Sequence, residues 1–119
     1  MGLSSPINVD QIMVIEWLEI RVPAENREAY IRIDDEIWTP ALQQYDGFVA
    51  KETWIAPDDP ELVIFMIRWE TREQWKAIPE DELTAITERF DQALNFDYTM
   101  AASKEYQVRR FPVSRESAR

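Results

Sequence analysis

A chain of 119 residues has the length of one domain, large enough for a real core and small enough that covering a face with a second copy adds useful burial. Its 23 acidic side chains outnumber 13 basic ones, and the resulting charge of −10 repels phosphate backbones and anionic lipid, so neither nucleic acid nor a membrane is expected as a partner. Cysteine and histidine are both missing, which excludes disulfides, thiolate nucleophiles, zinc fingers, Ser-His-Asp triads and histidine-ligated haem; any metal would sit among carboxylates, and no cofactor is expected.

Residues 1–11, with Ser4, Ser5, Pro6 and Asn8, read as a flexible lead-in. Gly2 suggests myristoylation until Pro6 is found where that pattern needs Ser or Thr. No apolar run approaches the roughly 20 residues that span a bilayer, and no basic stretch precedes a hydrophobic one, so the expected location is the cytoplasm. Ile12 to Val22 then reads as a strand with apolar residues at both odd and even positions, ended by Pro23. From Ala24 to Gln44, Tyr30, Ile33, Ile37, Trp38, Ala41 and Leu42 recur at helical spacing, while Asp34, Asp35 and Glu36 are assigned to a solvated face. Pro40 is expected to kink that helix or end its regular part.

Asp46-Gly47 turns the chain into a second strand, Phe48 to Ala56, and the loop Pro57-Asp-Asp-Pro60 joins it as a hairpin to a third. Leu62 to Ile67 is an unbroken apolar run, as in a strand covered on both faces. Thr71 with Gln74 three residues later is a capping-box pattern, which opens a short helix through Trp75. Pro79 and the acids after it start another, striped by Leu83, Ile86, Phe90, Ala93 and Leu94. Asn95 to Ser103 reads as loop and Lys104 to Phe111 as a last, partly exposed strand, before a flexible tail over residues 112–119.

The order βαββαβ over residues 12–111 has a favoured solution, the ferredoxin-like α+β fold. Right-handed crossovers put strands one and three in the middle of a four-stranded antiparallel sheet, with both helices on one face. The other face of those two apolar strands then needs a cover, and a second copy is the economical one, giving a homodimer whose sheets close into an α+β barrel.

Pro40-Ala-Leu, Asp46-Gly-Phe48, Asp59-Pro60, Ile67-Arg-Trp-Glu70 and Gln74-Trp75 together resemble the antibiotic-biosynthesis-monooxygenase-like family of dimeric α+β barrels, most closely a mainly cyanobacterial branch of it. The resemblance implies that fold, and it implies an activity only loosely, since the family holds cofactor-independent monooxygenases of aromatic polyketides and haem-degrading enzymes alike. The family's tryptophan at the end of the third strand corresponds to Trp69. Its histidine would fall near Ile78 or Pro79 and its strand-one asparagine near Leu18; neither is present, which excludes the family's haem chemistry and withdraws support from the oxygenase chemistry.

Trp69, Trp54, Trp17 and Trp38 are the candidate ligand-binding residues, either walling a pocket for a small aromatic ligand or filling core and interface. Glu16, mid-strand among apolar residues, is a candidate base with a raised pKa or else the partner of Arg68 in a structural ion pair. Arg68 is in turn the candidate cation for a substrate anion. Asp34, Asp35 and Glu36 point in different directions on a helix and are not expected to hold a metal. Three functions stay open: a homodimeric small-molecule-binding domain, preferred because the polar family residues are missing, a cofactor-independent monooxygenase, and a structural dimer without ligand.

Overall fold

The computed structural model describes residues 11–117. The expected lead-in therefore lies, but for Gln11, outside the described residues. The elements run β1 (Val14–Arg21), a 3-10 turn (Ala24–Asn26), α1 (Arg27–Gln43), β2 (Phe48–Ala56), β3 (Asp59–Trp69), α2 (Arg72–Lys76), α3 (Glu80–Ala93) and β4 (Thr99–Gln107). They form one four-stranded antiparallel sheet in the order β2-β3-β1-β4, the ferredoxin-like arrangement with the two apolar strands at its centre. Among the described residues no helix is long and apolar enough to cross a membrane.

The pleat of β1 and β3 divides the molecule. Val14 and Ile20 from one strand, with Val63, Phe65, Ile67 and Trp69 from the other, turn toward the helices and are buried. Tyr30, Ile33 and Leu42 of α1 and Ile86 and Phe90 of α3 close over them, with edge-to-face ring pairs such as Tyr30–Phe90 at 5.2 Å. The alternate residues face the other way, where Trp17 meets Trp54 at 5.4 Å and Tyr106 at 6.1 Å between ring centroids. Trp54 and Tyr106 stay 40% and 49% exposed there.

Pro40 lies inside α1, which continues three residues past it to Gln43. The proline is exposed, and so is Glu36, whose carbonyl loses its helical donor and can turn to water, which removes the reason for the helix to end. The hairpin turn is shorter than the sequence suggests, confined to Pro57-Asp58, because β3 begins at Asp59. Arg21 clamps that end, donating to both carboxylate oxygens of Asp59 at 3.1 and 2.7 Å.

The last strand corrects the expectation most. It spans Thr99–Gln107, so most of the stretch assigned to loop is strand and Arg109 to Phe111 is not. Thr99-Met-Ala-Ala-Ser has no apolar alternation because it sits at an edge and pairs on one side, with β1, from Thr99 opposite Arg21 to Gln107 opposite Val14. A bulge opposite Glu19 and Ile20 erases what alternation remained.

β3 passes into α2 as the capping pattern requires. The Gln74 backbone N–H donates to Thr71 Oγ1 at 3.1 Å, and that hydroxyl donates onward to Gln74 Oε1 at 3.0 Å. The Gln74 side chain also packs on Gly47, whose φ of +92° belongs to the left-handed region, and a Cβ built there would lie 2.6 Å from Gln74 Cβ. Gly47→Ala is therefore expected to cost about 1–3 kcal/mol, from backbone strain and this clash together. Urea denaturation checks it: a midpoint equal to that of the unmutated chain would show that the turn relaxes freely.

Candidate functional site

Between the helix-facing side of the sheet and the two long helices lies a cavity of about 320 Å³. Leu18, Ile20, Phe65, Ile67, Leu42 and Leu83 give it apolar walls, and Trp69, Trp38 and Trp75 add indole surface. Few polar groups enter it. Glu16 projects from β1, Lys51 from β2, Tyr30 and Asp34 from α1, and Thr87, Tyr98 and Ser103 complete the set.

Trp69 is fully buried, packed edge-on against Phe48 at 5.8 Å. A buried indole N–H needs an acceptor, and Glu16 supplies it: Trp69 Nε1 donates to Glu16 Oε1 at 3.1 Å. Burial pushes the Glu16 carboxyl above its usual range, and the Trp69 hydrogen bond, with more distant help from Lys76 and Lys51, opposes the shift.

The expected Glu16–Arg68 pair is not formed. Glu16 lies opposite Ile67 and Arg68 opposite Ile15, so the alternation that points Glu16 into the cavity points Arg68 to the other face. There Arg68 Nη1 meets Met13 Sδ at 3.5 Å. The four tryptophans are likewise divided. Trp69 and Trp38 line the cavity, while Trp17 and Trp54 belong to the opposite face, their indole N–H groups donating to Glu19 and Glu52 at 3.0 Å each.

Asp34 is not on a solvated face. It is 5% exposed, turned inward from α1, and its Oδ2 accepts from Lys51 Nζ at 2.5 Å, whereas Asp35 and Glu36 remain exposed. Lys51 also donates to Thr39 Oγ1 at 2.8 Å and stands 5.0 Å over the Phe65 ring. Burial pushes the Asp34 carboxyl up and Lys51 pulls it back. Sequence reasoning missed this pair, and Tyr30 with it. The signal was available in the four-residue spacing Tyr30, Asp34, Trp38, which sets an acid in the apolar stripe of α1.

A sequence profile described as antibiotic biosynthesis monooxygenase matches residues 13–82, more than half of the chain. No curated protein matches in sequence. Solved structures share the fold at low identity. A candidate antibiotic biosynthesis monooxygenase from Caulobacter crescentus is 7% identical, with 86% of this chain and 94% of that one covered and a TM-score of 0.64. One of the same description from Chloroflexus aurantiacus is 16% identical, with 86% and 94% covered and a TM-score of 0.57. A candidate monooxygenase from Shewanella loihica is 20% identical, with 84% and 97% covered and a TM-score of 0.55.

The raised pKa of Glu16 fixes the sign of a test. An acid that titrates higher when folded stabilises the fold fully below its unfolded value, near 4.5, and loses that contribution as pH rises through the folded value. Glu16→Gln keeps an acceptor for Trp69 and removes the titration. The variant should match the unmutated protein in thermal midpoint near pH 4.5 and exceed it at pH 8; a constant difference across that range would mean Glu16 titrates normally.

Proposed function

We propose, from the premise that this chain belongs to the antibiotic biosynthesis monooxygenase family, that it is a homodimeric small-molecule-binding domain whose ligand occupies the cavity between sheet and helices. The observation that carries this reading is the cavity itself: apolar walls, three indoles, and a few convergent polar side chains with perturbed titration, the composition of ligand pockets rather than of a packing defect. Aromatic walls suit a flat ligand. Placement in a mainly cyanobacterial branch rests on the Trp69 to Trp75 segment, and a cytoplasmic location on the charge and the apolar pattern of the chain.

The second copy belongs to the same proposal. Ile15, Trp17, Ile64, Met66, Trp54 and Tyr106 share the sheet face that the helices leave open, an apolar patch of the kind soluble monomers seldom present. Pairing two such faces closes the barrel. Light scattering at micromolar concentration should give a dimer, and Trp17→Glu, which places a charge at the centre of the patch, should give a folded monomer. A monomeric unmutated protein would remove the barrel.

Cofactor-independent oxygenation is the second reading, supported by the names of the structural relatives and by Glu16. Glu16 would take a proton from an acidic CH2 of the substrate, the carbanion would pass electrons to O2 to form a hydroperoxide, and loss of water would leave a carbonyl. Dioxygen is the oxidant, one of its atoms ending in the product and one in water. Arg68, on the far side of the sheet, takes no part, and Lys51 is the cation within the cavity.

One set of measurements separates the readings. With a panel of aromatic hydroxy-ketones, ligand should shift the tryptophan fluorescence, and Trp69→Phe should weaken binding roughly tenfold, about 1.4 kcal/mol, with the circular dichroism preserved. Oxygen consumption that disappears in Glu16→Gln would transfer the conclusion to the oxygenase. Neither binding nor oxygen uptake would leave a dimer without ligand.

A further inference from the structure

Tyr30 and Asp34, one turn apart on α1, and Lys51, reaching across from β2, form one polar patch in the wall of the cavity. Lys51 spends two of its three ammonium protons on Asp34 and Thr39, and the third has no partner among the described residues. Tyr30 is 4% exposed as a residue, and since no buried side-chain oxygen or nitrogen among the described residues lacks a hydrogen-bond partner, its unbonded hydroxyl opens onto the cavity it lines. Two donors thus face a space walled mostly by carbon, where a hydrogen bond to a charged ligand group is stronger than it would be in bulk water. Stability alone does not explain the arrangement, because a buried ion pair gains little over apolar residues of the same volume.

We infer, building on the ligand-binding reading above, that the ligand is a flat apolar molecule carrying one anionic oxygen group, which seats on Lys51 and Tyr30 while Asp34 takes up a proton from solvent. Charge is conserved within the cavity: one anion enters and one carboxylate is neutralised. Asp34 is suited to the exchange, since burial already favours its neutral form and Lys51 is what holds it ionised. The other groups around it act in the same direction or are uncharged. Asp35 on its own helix raises its pKa further, Tyr30, Thr39 and Thr87 of α3 are neutral, Tyr98 beside Tyr30 is held in its neutral form by burial and by its bond to Asp91, and Glu16 of β1, itself raised, tolerates an incoming anion while protonated.

Isothermal titration calorimetry with 2-naphthoate and its uncharged methyl ester tests this between pH 6 and 8. The unmutated protein should bind naphthoate at least tenfold more tightly than the ester at pH 6. Naphthoate affinity should fall with rising pH, by up to tenfold per unit, the limit for one proton taken up, while the ester stays level. Buffers of different ionisation enthalpy should register that proton directly. Lys51→Met alone strands Asp34 and risks the fold, so the decisive variant is Lys51→Met with Asp34→Asn, which should still bind the ester and lose the preference for naphthoate. Tyr30→Phe should weaken naphthoate several-fold and the ester by less, because the bond to a charged oxygen is the stronger one. Equal or tighter binding of the ester by the unmutated protein, or an undiminished preference in the double variant, overturns the anion site and leaves the ligand-binding reading standing. Binding of neither probe overturns both.

Discussion

With β1 and β3 side by side in antiparallel register, Val14 faces Trp69 across the pair and Glu16 faces Ile67, so that the Trp69 indole lies diagonal to the Glu16 carboxyl and can bond to it at 3.1 Å. The rest of the interior is arranged around that contact. A fully buried indole cannot be left without an acceptor, a buried carboxylate cannot be left without a donor, and each answers the other's need. The capped start of α2 just beyond Trp69 then brings Trp75 back over the same space, and Ile78 and Leu83 close its rim. Site and fold are here one set of contacts.

Charge is placed in the cavity with restraint. Carboxylates outnumber cations heavily in the chain, yet among the described residues only two acids line the space, one bonded to an indole and one to an ammonium. Both are pushed toward their neutral forms by burial. Pairing and burial thus keep net charge low in the interior, while most of the other acids lie exposed on helix faces, strands and loops, where water screens them.

The fold was legible because α1 and α3 each bury a face with a clear period, because β1 and β3 stand out as runs apolar on both faces, and because Thr71 and Gln74 mark a helix start by chemistry rather than by composition. The edge strand β4 was not legible beyond its end: an edge strand with one partner needs no apolar alternation, and its bulge shifts the phase midway. The site was legible in part. Trp69, Trp38 and Glu16 reach the cavity as separate residues, but which of the tryptophans share a face depends on strand parity, and the irregularity between Phe48 and Ala50 shifts the parity of β2 before Lys51. Asp34 was hidden by its neighbours, since Asp35 and Glu36 make the triplet look like a solvated run.

The bulge in β4 also says where this protein can change length. Opposite Glu19 and Ile20 the edge strand accommodates an extra residue by bending, and no helix-facing side chain of the centre is displaced. The same insertion in β3 would have no such outlet, held as that strand is between β1 and β2. Every residue beyond it would exchange sides, carrying Trp69 out to the open face and Arg68 into the interior. Lineages of this fold should accordingly drift in length along the outer strand and at the hairpin, and keep the residue count of the central pair fixed even where the residues themselves diverge.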